Sequence, residues 1–292
     1  GTIISAYLES SAVQSVAASA RFTNLSNRAL VGTGDSILIG SFLVKDAPLR
    51  IYARVGGPAL IPSGFVDNHL ADPVLELFKI VAAPNPPVSI AMNDNWKEGG
   101  QQALIESTTI APANDVEPAL VATLTENGFY SVIVKGAGET EGFANVEIYE
   151  FRDTDEIGTL TNLSNRAFVG TGDNILIGSF FVKGDAPQRI YARVGGPALI
   201  PSGFVDNHLA DPVLELFKIV AAPNPPVLIA MNDNWKEGAQ EALIVSTTLP
   251  PANDVEPALV ATLEPGSFYS VVVKGAGETE GFANVELYDF PE

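Results

Sequence analysis

Cysteine is absent from this chain of 292 residues. Disulfides, thiolate nucleophiles and cysteine-based zinc sites are therefore excluded together. Histidine is almost as scarce, since only His69 and His208 are present, at equivalent places in the two halves of the chain. Neither a G-x-S-x-G nucleophile turn nor an H-E-x-x-H zinc helix accompanies them. The sequence offers no catalytic residues, and we expect that the protein is not an enzyme.

Positive charge is also in short supply. The chain has 16 Lys and Arg residues against 35 Asp and Glu residues, which gives a formal net charge of −19. A phosphate backbone or an anionic membrane surface would be repelled, so nucleic acid is not an expected partner. No apolar run approaches the roughly 20 residues that span a bilayer, so membrane insertion is not expected. The chain begins at Gly1 rather than Met, which favours removal of a leader peptide and a secreted, extracellular or cell-surface location.

A long internal duplication dominates the sequence. Thr23 aligns with Thr161 and Lys45 with Lys183, and after the single inserted Gly184 the match continues to Phe151 and Phe290. Most aligned positions are identical, and a period this long indicates a duplicated domain rather than a solenoid repeat. The predicted organisation is an N-terminal arm, a first repeat, a short charged linker and a second repeat, at residues 1–21, 22–151, 152–159 and 160–292.

Each repeat contains short segments that are rich in β-branched and aromatic residues and often alternate in polarity. Turn clusters of Gly, Pro, Asn and Asp separate them. This pattern predicts an all-β fold with two tandem antiparallel β-sandwiches of jelly-roll type, and the short linker predicts that they lie nearly end to end. A helical turn is predicted within 96–107. The predicted strands of the first repeat are 36–44, 50–55, 74–81, 88–92, 120–124, 129–134 and 144–149.

The N-terminal arm has no counterpart before the second repeat. Its apolar residues fall mainly on even positions and its serines mainly on odd ones, a partial strand pattern. One interpretation is a frayed terminus or an ordinary first strand, and a short self-pairing helix is another. The third is a donor strand that pairs with a sheet edge of a neighbouring copy, since about 15 extended residues reach about 50 Å. The residues predicted to make that contact are Ile3, Ile4, Ala6, Leu8, Ala12, Val13 and Val16.

Calcium is the one candidate cofactor. The loop Asn93-Asp-Asn-Trp96 and its twin Asn232-Asp-Asn-Trp235 concentrate oxygen donors of the kind that calcium prefers. The spacing of an EF-hand loop is nowhere matched, and Asn and Asp also favour turns for their own reasons. Both interpretations stay open. The candidate calcium ligands are Asp72, Asp94, Asp115, Asp211, Asp233 and Asp254.

Two further sequence features recur in both repeats. Asn24 and Asn162 begin N-x-[ST] sequons, which would carry glycans in a source that glycosylates. Trp96 and Trp235 are the only tryptophans. We expect each of them to anchor the core with its ring N–H bonded to a loop carbonyl.

The segments Leu25-Ser-Asn-Arg-Ala-Leu-Val-Gly-Thr-Gly-Asp35, Asn93-Asp-Asn-Trp96 and Phe143-Ala-Asn-Val-Glu-Ile-Tyr149 resemble a repeat domain of long secreted bacterial surface proteins. The latter half of each repeat, from Asp72 to the closing strand, is similar to the bacterial pre-peptidase C-terminal type of sandwich. The resemblance covers both repeats but not the arm. It implies a jelly-roll-like extracellular structural or accessory module without catalytic residues, and it does not match the calcium ligands of such relatives residue by residue.

These features favour an exported structural subunit. Near-identical domains, an unmatched arm and the lack of site chemistry predict that copies of the chain assemble head to tail into an extracellular filament or surface structure by donor-strand pairing. The alternative is an adhesin or a carbohydrate-binding module whose paired loops would bind a glycan with avidity. Calcium could stabilise such a module.

Overall fold

The computed structural model describes residues 21–65, 67–151, 157–204 and 206–290. These residues form an all-β fold of 16 strands, as predicted, and the strands pair antiparallel except where β1 (Arg21–Val31) meets β9 (Thr159–Val169). Within the described residues, no helix is both long and apolar enough to cross a membrane.

The first repeat has eight strands and one short α-helix, α1 (Gln102–Ser107). Short 3-10 turns cover Pro58–Ser63 and Ala137–Glu139. The strands are β1 Arg21–Val31, β2 Leu38–Lys45, β3 Leu49–Gly56, β4 Pro73–Lys79, β5 Val88–Asn93, β6 Ala119–Leu124, β7 Gly128–Gly136 and β8 Gly142–Glu150.

The second repeat has the same elements in the same order. Its helix is α2 (Glu241–Ser246), and its 3-10 turns cover Pro197–Ser202 and Ala276–Glu278. The strands are β9 Thr159–Val169, β10 Leu176–Lys183, β11 Gln188–Gly195, β12 Pro212–Ile219, β13 Val227–Asn232, β14 Ala258–Leu263, β15 Ser267–Gly275 and β16 Gly281–Asp289.

The seven predicted strands of the first repeat and the helical turn are confirmed to within a few residues. The strand that the sequence pattern missed is β1, together with its twin β9. Its alternation is broken by an irregularity between Phe22 and Asn24. Two of its inward positions, Asn24 and Asn27, are polar but buried. The usual apolar signature of a half-buried strand is therefore absent from this segment.

These two missed strands join the repeats. In sheet I the strand order is β6-β3-β8-β1-β10-β15-β12-β13. In sheet II it is β14-β11-β16-β9-β2-β7-β4-β5. Each sheet takes four strands from each repeat. Both sheets therefore run without interruption from one repeat into the other.

The expected end-to-end arrangement of two separate sandwiches is wrong. The repeats lie side by side, because β1 pairs with β10 and β2 pairs with β9. β1 and β9 run parallel to each other, and equivalent residues are partners, Phe22 with Leu160 and Leu30 with Phe168. This is the arrangement expected when a local two-fold axis lies between the two strands and along them. A single hydrophobic core contains buried residues from both repeats. The duplicated chain thus resembles a symmetric dimer fused into one polypeptide.

Candidate assembly edges

Four strands lie at the outer ends of the two sheets. Sheet I ends at β6 and β13, and sheet II ends at β14 and β5, each paired with one strand among the described residues. An end strand presents a row of backbone N–H and C=O groups on which another strand can pair. Whether each of these four edges is covered or exposed therefore decides where the protein could bind an added strand.

Side-chain amides cover the β6 and β14 edges. The Gln101 side chain donates to the Val121 carbonyl and accepts from the Val121 N–H, both at 2.9 Å. Asn93 Oδ1 accepts from the Ala119 N–H at 2.9 Å. The twin residues Gln240 and Asn232 make the same bonds on β14. These amides replace a partner strand, so the two edges have little capacity for another chain.

The loop that carries these amides is anchored by the predicted tryptophan. Trp96 is buried in a small cluster with Tyr52, Ile105, Ala119 and Val121. Its Nε1–H donates to the Asn114 carbonyl at 3.1 Å, and Trp235 donates to the Asn253 carbonyl at 3.2 Å. The prediction of a core anchor whose N–H is bonded to a loop carbonyl is confirmed in both repeats.

The β5 and β13 edges have the opposite character. Val88, Ile90 and Met92 on β5 are 42% to 65% exposed. Four apolar side chains on β13 are likewise 42% to 59% exposed: Val227, Leu228, Ile229 and Met231. End strands with exposed apolar side chains are sites of strand addition unless something covers them. We therefore take β5 and β13 as the candidate assembly edges.

A cleft adjoins the β13 edge where the ends of the two sheets approach each other. Its volume is about 220 Å³, and it opens between β13, β14 and the start of α2. Its lining combines polar side chains of Asn232, Glu237 and Gln240 with apolar residues: Ala230, Met231, Trp235, Ala239, Ile244, Ala258 and Leu259. A strand added to β13 would place alternate side chains over this cleft, which is the arrangement that gives specificity in strand addition.

Arg21 marks the point from which the N-terminal arm departs. It pairs with Lys183 at the start of β1, and its Nε lies 3.3 Å from Glu150 Oε2. The arm therefore begins at the middle of sheet I, four strands from β13. The predicted arm contacts lie outside the described residues: Ile3, Ile4, Ala6, Leu8, Ala12, Val13 and Val16.

The predicted calcium ligands are only partly brought together. Burial raises the pKa of Asp94, and the nearby Asp72 and Glu98 raise it further. Burial, Asp211 and Glu237 act in the same way on the pKa of Asp233. Asp115 and Asp254 instead lie 2.5 and 2.6 Å from Lys97 and Lys236. The described part of the chain contains no group of three or more acidic or histidine side chains that could hold a metal ion. Calcium stays a prediction.

Replacing both Asp94 and Asp233 by asparagine is expected to raise the melting temperature at pH 7. A raised carboxyl pKa means that folding disfavours the charged form, so stability is lost as pH rises through the folded-state pKa. At pH 3 the difference from the wild type should vanish, because the carboxyl groups are then protonated. Calorimetry in chelator at both pH values tests this, and a second scan at pH 7 with added calcium measures any effect of the ion. A lower melting temperature at pH 7 would contradict it, and a calcium-dependent rise seen only in the wild type would support the calcium prediction.

The sequon asparagines are poor glycan acceptors in the folded chain. Asn24 and Asn162 are 7% and 8% exposed. Asn24 lies between β8 and β10, and Asn162 lies in β9 with its register partner in β16. A glycan at either position would have to displace packed side chains, so their burial argues against the predicted modification.

The histidines have structural surroundings. His69 Nδ1 lies 3.1 Å from the Phe65 carbonyl, and His208 makes the same contact with Phe204. Each of them also forms an isolated bridge to the closing strand of its repeat. The two histidines therefore occupy equivalent structural positions in the two repeats.

A second surface feature recurs in both repeats. Clefts of about 240 and 280 Å³ lie beside the 3-10 turns, with Arg54, Glu117 and Glu147 or their twins in the lining. Arg54 is ion-paired with Glu147. Glu117 Oε1 accepts from the N–H groups of Gly57 at 3.1 Å and Ala59 at 2.7 Å. These charged groups already serve the fold, so the clefts offer a ligand few additional bonds from them.

Comparison with known proteins adds no assignment. The chain matches no protein-family model, and no curated protein is similar to it in sequence. The resemblance to the pre-peptidase C-terminal type of sandwich therefore stays a prediction.

Proposed function

We propose that this protein is an exported structural subunit that assembles head to tail into an extracellular filament. In this proposal the N-terminal arm of one copy adds a strand to an exposed sheet edge of the next. The observation that carries it is the contrast between the four end strands. Two are covered by side-chain amides, whereas β5 and β13 expose apolar side chains.

The centre of the molecule has no room for an arriving strand. β1 already has β8 and β10 as neighbours, and β9 has β16 and β2. Both edges of β1 and of β9 are therefore paired within one chain, and another copy would bind at the outer edges of the sheets.

The length of the arm fits this role. From β1 to β13 there are four strand spacings, which amount to about 19 Å. Twenty extended residues span up to about 66 Å, so the arm is long enough to pass beyond its own subunit. Because the donor and the acceptor surfaces differ, each contact leaves one arm and one edge for further copies, and the assembly grows as a filament.

The composition of the arm supports the same assignment. Residues 1–20 contain a single charged side chain, Glu9, although the whole chain has a net charge of −19. An uncharged strand with apolar alternate positions suits an exposed apolar edge. The acidic surface of the remaining molecule keeps unassembled copies soluble.

The alternative function is a glycan-binding adhesin. The observation on its side is the pair of similar clefts beside Arg54 and its twin Arg193, since two sites on one chain could bind with avidity, although the charged groups of both clefts already serve the fold. Binding of an oligosaccharide by a chain that forms no polymers would support this alternative.

Deleting residues 1–20 is expected to abolish polymers and leave the folded domains intact. The arm would supply the main-chain hydrogen bonds and the apolar contacts of the assembly, whereas the buried core of the described residues is built from Phe22 onward. Electron microscopy and sedimentation measure the polymers, and calorimetry measures the fold.

A matched control keeps the arm but changes its apolar positions. Replacing Ile4 and Leu8 by lysine should give the same loss of polymers, whereas replacing Ser5 and Ser15 by threonine should preserve them. Filaments of unchanged length from the deletion variant would refute donor-strand assembly.

A further inference from the structure

We infer that β13 of the second repeat, and not its twin β5 of the first, is the edge that accepts the arm. This inference rests on the proposed function. Each chain has one arm and two similar exposed edges. In a head-to-tail assembly one arm is received per subunit, so the two edges cannot both be filled.

The repeats are almost identical, so their few differences near these edges are informative. Ser89 on β5 is replaced by Leu228 on β13, and Leu228 is 51% exposed. Glu106 on α1 is replaced by Val245 on α2, which is also 51% exposed. Both changes replace a polar or charged side chain by an exposed apolar one at the same end of the second repeat. Exposure of apolar groups is unfavourable in water unless a partner covers them.

The cleft beside β13 supplies the complementary shape. It runs from Ala230 and Met231 on the edge strand to Ile244 on α2, the helix that carries Val245. An added strand would pair with the β13 backbone and direct alternate side chains over the cleft. The branched or small apolar side chains at Ile4, Ala6 and Leu8 of an arriving arm have the size and spacing for this.

The absence of cysteine makes a clean cross-linking test available. Single cysteines are introduced in the full-length chain at Ser5, Ser11, Ser15 or Ser19 of the arm. Each is combined with Leu228→Cys or, as the matched control, with Ser89→Cys, both at exposed positions. After mild oxidation, denaturing electrophoresis separates monomers from covalent multimers.

The expected result is a ladder of multimers in at least one Leu228→Cys combination. The yield should exceed that of the Ser89→Cys series by about tenfold, because the β13 edge offers more apolar surface to bury. A ladder of equal or greater yield through Ser89 would overturn the choice of β13 but leave donor-strand assembly standing. Cross-linked monomers alone would show that the arm folds back on its own subunit and would overturn both proposals. No cross-link in the Leu228→Cys series would overturn the choice of β13.

A second pair of variants tests the same point without a cross-link. Ile229→Lys on β13 is expected to abolish filaments, and Ile90→Lys on β5 is expected to leave them unchanged, because an edge lysine opposes strand addition. Both positions are 42% exposed, so both variants should fold, which calorimetry checks. Filament loss from Ile90→Lys alone would reverse the assignment.

Discussion

Replacing Phe180 by alanine is expected to destabilise both repeats together, by about 3–5 kcal/mol. Phe180 belongs to the second repeat and is fully buried. Its ring meets the ring of Phe22, from the first repeat, edge to face at 5.2 Å, and it stacks on Tyr269 at 5.9 Å. The truncation therefore opens a cavity in the core that the two repeats share. The free energy of unfolding should fall for the whole chain rather than for one half.

Differential scanning calorimetry is the measurement. One transition should shift down by about 6–12 °C and remain single. The control is Phe129→Ala, whose ring is 47% exposed on the outer face of sheet II and whose loss should cost far less. Two separate transitions, of which only one moves, would show that the repeats unfold independently despite their shared sheets.

Replacing Gly57 by alanine is expected to cost about 3 kcal/mol or more, by a different mechanism. A Cβ atom at this position would lie 2.0 Å from the Leu70 carbonyl oxygen. The obstacle is backbone rather than a flexible side chain, so a change of rotamer cannot relieve it. Gly57 also donates its N–H to the buried Glu117, which restricts any movement of the turn.

Gly34→Ala is the matched control for this substitution. Gly34 has a φ of +60°, but no atom lies within 4 Å of the added Cβ position. Its cost should be the left-handed penalty alone, about 1–2 kcal/mol. Urea unfolding compares the two variants, and Gly196→Ala, where the distance to Leu209 is 2.1 Å, should repeat the large effect in the second half. Equal losses for Gly57→Ala and Gly34→Ala would contradict the steric explanation.

The candidate edges show which structural features the local sequence pattern can predict and which it cannot. The composition of 88–92 predicted a strand, and β5 is that strand. Its neighbours were not predictable, because the same alternation suits a central strand or an edge. Likewise, nothing in the sequence indicates that the side chains of Gln101 and Asn93 bond the backbone of β6, because their bonds to Val121 and Ala119 form only when separate segments of the chain are brought together.

The calcium and glycan predictions illustrate the same limit. Asp72, Asp94 and Asp115 could be counted in the sequence, but their separation and the Lys97 contact of Asp115 depend on how the loops pack. Asn24 matches a sequon in sequence, whereas its burial follows from strands on either side. Motifs of this kind name candidate residues without fixing their surroundings.

By itself the sequence determined the all-β class, the duplication, most strands of each repeat and the anchoring role of Trp96 and Trp235. These properties depend on short-range periodicity, turn residues and self-similarity, all of which a single chain displays. Only the tertiary structure decided that the repeats lie side by side, share one core and leave β5 and β13 exposed. The strand partners that join the repeats, such as Arg21 with Lys183 and Ile39 with Arg166, lie more than a hundred positions apart, and local preference carries no information about such pairings.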